Sequence, residues 1–113
     1  MTATLKPPPL TETEFQRQVT DLAELFGWQW AHFRPAQTSR GWRTPVSGPL
    51  GSGFPDLVLA RARDRRLLFA ELKTDRGRVT PDQERIHETL AAAGQPVNVW
   101  RPADFELIAE VLR

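Results

Sequence analysis

The sequence predicts an α/β fold in which a small mixed β-sheet is flanked by helices. Two apolar runs, residues 57–60 and 67–72, are separated by the polar segment 61–66, a pattern typical of a β-hairpin. Segments with helical periodicity precede and follow this hairpin, and a short β-rich run, residues 96–100, lies between the last two of them. The predicted order of elements is therefore α-β-β-β-α-β-α.

The first helix is expected to begin after Thr11 and to end at Gly27. Its apolar stripe consists of Phe15, Val19, Leu22 and Phe26. Thr11 and Glu14 have the spacing of a capping box, in which the Glu14 side chain reaches back to the N-cap amide. Residues 1–10 are proline-rich and are expected to form a flexible arm, so the predicted folded domain is 11–113.

Residues 28–34 alternate well enough to form the first strand. His32, on this strand, and His87, on a later helix, have no partner at catalytic or metal-binding spacing, so we expect both to be structural or surface residues. A long polar connection follows at residues 35–53, and a stretch of this length without regular structure is usually functional or mobile. Trp42, which lies in it between basic residues, is expected either to stack on a base or to fold back onto the core.

The C-terminal part predicts a helix, a short strand and a closing helix. Thr80, Pro81 and Gln83 are typical of a helix start, in which Gln83 completes a capping box, and Gly94 is typical of a helix end. The inward residues of this helix are predicted to be Gln83, Ile86, Leu90 and Ala93. The closing helix, residues 102–112, is predicted to turn inward Phe105, Ile108 and Leu112.

Length and composition favour a single soluble domain. The chain has 113 residues and no cysteine, which excludes disulfides and thiolate-bound zinc. Its apolar runs are too short for a membrane span, and its N-terminus lacks the apolar stretch of a signal peptide. We therefore expect a cytoplasmic protein of bacterial or phage origin.

Positive charge is concentrated in the middle of the chain. The net charge is +1, but residues 34–78 hold ten basic and four acidic side chains, whereas both flanking segments are acidic. Such a distribution favours a surface that binds a polyanion. A GC-rich source genome would account for the preference for arginine, but not for its clustering.

Three charged residues are expected to meet at the open end of the hairpin. With a turn near Asp64, antiparallel pairing places Asp56 beside Glu71, Leu72 and Lys73. Both faces of the second strand are predicted to be buried, so these charges need compensation. One interpretation is a structural salt bridge. The other is a cation site, because two carboxylates and a backbone carbonyl supply the oxygen ligands that Mg²⁺ or Mn²⁺ prefers.

Several motifs in order resemble one nuclease family. The sequence resembles the virus-type replication-repair nuclease (VRR-NUC) domain of the PD-(D/E)xK superfamily. The resemblance is carried by Gly53-Phe54-Pro55-Asp56, Phe69-Ala70-Glu71-Leu72-Lys73-Thr74, Gly77, Gln83 and Val99-Trp100-Arg101-Pro102. The resemblance runs from about residue 12 to residue 111. It implies a restriction-endonuclease-like core, and it makes Glu14 and Gln83 site residues.

The resemblance implies a DNA endonuclease that depends on Mg²⁺ or Mn²⁺. Asp56 and Glu71 are the expected metal ligands, with the Leu72 carbonyl as a third and Glu14 as a direct or water-mediated fourth. Lys73 is expected to hold the attacking water and to stabilise charge at phosphorus. Gln83 would orient Lys73, the water or the phosphate.

DNA is the expected partner. Five residues are expected to contact it: Arg40, Trp42, Arg43, Arg76 and Arg78. Family members that stand alone are associated with branched DNA such as Holliday junctions and act as dimers, which implies a homodimer in replication, repair or recombination. One alternative is a nucleic-acid-binding module without catalysis, or a subunit of a replication or recombination complex. Another alternative is an RNA-directed nuclease.

Overall fold

The computed structural model of the chain describes residues 9–33, 36–39, 41–43 and 46–113. Most of the predicted arm, residues 1–8, lies outside this description. The elements in chain order are α1 (Glu12–Leu25), β1 (Gln29–His32), β2 (Ala36–Thr38), β3 (Gly41–Arg43), β4 (Leu57–Arg61), β5 (Arg66–Leu72), α2 (Pro81–Ala92), β6 (Val97–Trp100) and α3 (Phe105–Leu112).

A four-stranded mixed sheet forms the centre of the fold, as predicted. Its strand order is β1-β4-β5-β6, with antiparallel pairing of β4 to both β1 and β5, and parallel pairing of β5 to β6. The expectation of an irregular connection at 35–53 was wrong in part. This connection contains the antiparallel pair β2/β3 and a 3-10 turn at Gly51–Gly53. Strands of three residues are too short for a periodic pattern to predict.

The central hairpin has the predicted turn and register. A 3-10 turn at Ala62–Asp64 joins β4 to β5, and Arg65 follows it in the left-handed conformation with φ of 56°. Leu57 pairs with Ala70, so one further step of the same register sets Asp56 opposite Glu71. The predicted meeting of charged residues at the open end is therefore a consequence of where the turn lies.

The main core lies between one face of the sheet and helices α1 and α3. Its buried residues are Phe15, Val19, Ala23, Trp28, Leu57, Leu59, Ala70, Leu72, Trp100, Ile108 and Leu112. Phe105 was wrongly expected in this core. Its side chain is 37% exposed, because α3 begins only at this residue after a 3-10 turn at Pro102–Asp104. No helix in the described ranges combines the length and apolar character needed to cross a membrane.

Helix α2 covers the opposite face only in part. Ile86 is 2% exposed, and Glu71 at the end of β5 is fully buried. Leu67, near the start of β5, is 45% exposed, so the expectation that both faces of this strand are buried holds only at its C-terminal end. Ala93, expected to face inward, lies beyond the end of α2 and is exposed.

A buried arginine ties the tip of the hairpin to the ends of two helices. The Arg61 guanidinium donates to the carbonyls of Phe26 and Leu112 at 2.9 and 3.0 Å and forms an ion pair with Asp64 at 2.7 Å. It also lies 4.6 Å from the centre of the Trp28 ring. The hydrogen bond from Arg61 keeps the pKa of Asp64 below its ordinary value. Arg61 thus helps to satisfy the C-terminal carbonyls of two helices, together with Trp28 Nε1, which donates to Leu112, and Arg63, which donates to Phe26.

We predict that Gly53→Ala destabilises the fold, because the added Cβ would clash with the Asp82 carbonyl oxygen, a backbone atom at the start of α2. Overpacking of this kind costs about 1–3 kcal/mol. Urea unfolding of Gly53→Ala and of Ser52→Ala, its exposed neighbour, measures the effect. Equal unfolding midpoints for the two variants would contradict this packing.

Candidate active site

Asp56 is fixed by both neighbouring strands. Its backbone carbonyl accepts a hydrogen bond of 2.8 Å from the Phe33 amide, next to β1. Its carboxylate oxygen Oδ2 accepts a bond of 3.0 Å from the Leu72 amide in β5. In an antiparallel sheet the N–H and C=O of one residue point to the same side of the strand. The Leu72 carbonyl is therefore directed toward the Asp56 side of β5.

Glu71 is a buried carboxyl group without a hydrogen-bond partner. It is 0% exposed, and neither Oε1 nor Oε2 has such a partner among the residues that the structure describes. Burial, and secondarily the adjacent Asp56 carboxylate, raise the pKa of Glu71 from 4.5 to about 9, although the Lys73 charge opposes the shift. Without a cation, Glu71 is therefore protonated at neutral pH.

A cavity of about 230 Å³ opens beside these two carboxyl groups. It is lined by Glu12, Phe33, Gly51, Ser52, Gly53, Phe54, Asp56, Glu71, Lys73 and Gln83. Lys73 directly follows β5, and its amide is held by the Trp100 carbonyl at 2.9 Å. Asp56, Glu71, Lys73 and Gln83, all predicted to be site residues, thus lie around one space.

The first helix contributes Glu12 to this cavity, whereas Glu14, the glutamate predicted for the site, is exposed and is not among the lining residues. Its amide donates to the Thr11 hydroxyl at 3.1 Å, which is one of the two hydrogen bonds of the predicted capping box. Residues two apart on a helix do not share a face. The sequence offered two glutamates, and only the direction from which α1 approaches the sheet distinguishes them.

Gln83 caps its helix and also lines the cavity. Its Oε1 accepts a hydrogen bond from the Thr80 amide at 3.0 Å, and its own amide donates to the Thr80 hydroxyl at 3.2 Å, which completes a capping box. The two interpretations of Gln83 from the sequence are thus compatible. The cap fixes the side-chain oxygen of Gln83, and the residue also lines the cavity.

His87, expected to be a structural or surface residue without a catalytic or metal-binding partner, lies against Glu71. Its side chain is 14% exposed, and its Nε2 atom is 3.6 Å from Oε1 of Glu71. Burial, and then the Lys73 charge, lower the pKa of His87, so its ring is neutral at pH 7. Sequence spacing gave no sign of this contact, because His87 and Glu71 meet only when α2 folds over β5.

Two of the predicted DNA contacts lie in the loop after Lys73. Arg76 and Arg78 are exposed there, and Arg101 holds the loop by donating to the carbonyls of Thr74 at 2.7 Å and Gly77 at 2.6 Å. Arg101 has a positioning contact that the sequence did not predict. Of the remaining predicted contacts, Arg40 and the side chains of Trp42 and Arg43 lie outside the described residues.

The donors at this site fit a hard divalent cation. Asp56 and Glu71 line the same cavity, and among the described residues the oxygens of Glu71 have no hydrogen-bond partner. Within the described ranges no three His, Cys, Asp or Glu side chains form a ready-made metal site. Mg²⁺ is usually held by one or two carboxylates and keeps several waters, so a pair of carboxylates suits it.

The motifs and the geometry agree with a comparison with known families. The family model for the VRR-NUC domain matches residues 29–104. The chain belongs to the VRR-NUC family. The matched range includes Asp56, Glu71, Lys73 and Gln83, whereas Glu12 precedes it.

Solved structures carry the same fold. One "VRR_NUC domain" has 22% sequence identity, with a TM-score of 0.61 over 89% of this chain and 92% of that chain. A "VRR_NUC domain protein" has 26% identity, with a TM-score of 0.57 over 92% of this chain and 87% of that one. No curated protein matches significantly. The predicted α/β architecture of a VRR-NUC domain is therefore confirmed.

The raised pKa of Glu71 predicts how stability depends on pH in a chelating buffer. Between pH 7 and 8.5 native Glu71 holds a proton that the unfolded chain has lost, so the free energy of unfolding should fall as pH rises, by at most about 1.4 kcal/mol per pH unit. The lowered pKa of His87 has the opposite effect, but only at lower pH. Urea unfolding across this range measures the slope.

Glu71→Gln should remove this dependence, because an amide does not titrate. Glu88→Gln, at an exposed position of α2, is the matched control and should keep the wild-type slope. Equal slopes for the two variants would show that Glu71 is not the titrating group.

Proposed function

We propose that this VRR-NUC domain is a DNA endonuclease that hydrolyses phosphodiester bonds with a bound Mg²⁺ or Mn²⁺. The observation that carries the proposal is the buried Glu71 carboxyl, which has no hydrogen-bond partner among the residues described and lines, with Asp56 and Lys73, one cavity. A buried carboxylate without a partner is costly, and a bound cation would compensate it.

Asp56 and Glu71 would hold the cation, with the Leu72 carbonyl as a third donor. Support for the third donor is the Leu72 amide, which already binds Asp56 and lies on the same side of β5 as its own carbonyl. Glu12, which lines the cavity, takes the place in this scheme that the sequence assigned to Glu14. The bound ion would lower the pKa of an attacking water and neutralise charge at the phosphate.

Lys73 would hold the attacking water and stabilise negative charge on the phosphoryl oxygens. It lies in the same cavity as both carboxyl groups, and on the same face of the strand as Glu71, two residues away. An ammonium group acts as a compact point charge, which suits a group that must approach both water and phosphate. Gln83, whose side-chain oxygen is fixed by the cap, would orient Lys73, the water or the phosphate.

The expected substrate is DNA, and the loop after β5 supports this choice. Arg76 and Arg78 are exposed immediately beyond Lys73, and the central segment 34–78 carries most of the basic residues. Arg40, Trp42 and Arg43 would extend the contact. Branched DNA and a homodimer, in replication, repair or recombination, are the finer parts of the proposal, since a symmetric junction calls for two sites related by a two-fold axis.

One observation favours a second function, a nucleic-acid-binding module without catalysis. The raised pKa of Glu71 is consistent with a neutral carboxyl group that occupies this buried position without any ion. The two functions differ in their response to a chelator. A catalyst loses turnover, whereas a binding module keeps its affinity for DNA.

We predict that Asp56→Asn and Glu71→Gln each lower DNA cleavage in Mg²⁺ or Mn²⁺ by more than about 100-fold, because each removes a charged ligand at nearly constant shape. Labelled linear, nicked, flap and four-way DNA, with matched RNA, would serve as substrates. The exposed Glu88→Gln is the control and should cleave like wild type. Full activity of the Asp56 or Glu71 variant would refute the site, and no cleavage by wild type would favour the binding module.

The two glutamates of α1 give a second prediction. Glu12→Gln should reduce cleavage about 10–100-fold, because its carboxylate lines the cavity. Glu14→Gln should have little effect, since the backbone amide of Glu14, and not its carboxylate, forms the cap. Initial rates at subsaturating Mn²⁺ would separate the variants. The reverse order of effects would restore Glu14 to the site.

A further inference from the structure

Helix α2 places two polar side chains over the buried end of β5. Gln83 and His87 are four residues apart and therefore lie on one face of the helix, next to the buried Ile86. Gln83 is engaged with the Thr80 amide. His87 points to Glu71, and its Nε2 atom is buried without a hydrogen-bond partner in the described part of the chain, as are both carboxyl oxygens of Glu71.

The separation of these groups suits a hydrogen bond that is not yet closed. Nε2 of His87 and Oε1 of Glu71 are 3.6 Å apart, beyond the roughly 2.7–3.2 Å of a formed N–H···O bond. A neutral imidazole carries one N–H, which can reside on Nε2. A modest rotation of either side chain would satisfy two buried atoms at once, which favours the contact.

We propose that His87 is a positioning residue for the cation site: its Nε2–H donates to Oε1 of Glu71 and turns Oε2 toward Asp56 and the ion. This inference rests on the proposed function. In metal sites a ligating carboxylate is usually held by such a neighbour, and loss of the neighbour weakens metal binding about 10–100-fold. His87 does not enter the reaction itself, because it approaches Glu71 from α2 and is not among the residues lining the cavity.

The groups around His87 are consistent with this role. Asp56, Lys73 and Glu84 are the charged neighbours that act on it besides Glu71. Lys73 follows Glu71 along the same strand and lines the cavity. His87 approaches Glu71 from α2, whereas Lys73 lies on the cavity side. A hydrogen bond from His87 would therefore hold the carboxyl group from the helix and leave its cavity side open to the ion.

The test compares two replacements of His87 in Mn²⁺ binding without DNA, followed by electron paramagnetic resonance. His87→Leu keeps bulk but has no N–H, and we expect about 10–100-fold weaker Mn²⁺ binding. His87→Gln sets an amide N–H near the position of Nε2 and should restore binding to within a few-fold of wild type. Affinity for DNA in a chelator should be the same for all three proteins, since the DNA surface is unchanged.

A double-mutant cycle in the chelator tests the contact without any metal. The changes in unfolding free energy caused by His87→Leu and Glu71→Gln should not add up to the change in the double variant if the two side chains interact. Wild-type affinity for Mn²⁺ in His87→Leu, a His87→Gln variant as weak as His87→Leu, or an additive cycle would each overturn the positioning role. Absence of both Mn²⁺ binding and cleavage in the wild type would instead overturn the proposed function.

Discussion

The structure depends on one constraint, the complete burial of Glu71 at the end of β5. The sheet, the Asp56 carboxyl group and helix α2 enclose a group that would be costly to ionise there. Either a proton or the proposed cation would neutralise the carboxyl group there. Replacement of buried charged groups by apolar side chains of similar volume is often neutral or stabilising, so stability alone does not account for a buried glutamate here.

The two ends of the central hairpin treat buried charge in opposite ways. At the turn, Arg61 is almost fully buried, yet its guanidinium is paired with Asp64 and donates to carbonyls at the ends of α1 and α3. At the open end, Glu71 is equally buried and has no hydrogen-bond partner in the described residues. The same fold therefore satisfies one buried charge completely. This contrast supports the proposal that a cation binds at the open end.

Local signals predicted what local structure decides. The position of the turn sets the register that brings Asp56 to Glu71, and the capping box of Thr80 and Gln83 predicted the start of α2. Contacts between elements were not predictable in this way. Whether α1 presents Glu12 or Glu14, and whether His87 meets Glu71, depends on how each helix is rotated and placed on the sheet, and hydrophobic periodicity defines a face only to within a residue or two.

The placement of Lys73 explains why the family motifs extend to the far strand. Lys73 lies one residue beyond β5, where the strand ends and a loop begins. The Trp100 carbonyl binds its amide, and Arg101 holds the following loop through two carbonyl groups. The parallel pairing of β6 with β5 brings these groups to the site from more than 25 residues away in sequence. The backbone of Lys73 is thus held by a strand that contributes no side chain to the cavity, so residues 99–102 support the position of residues 71–73.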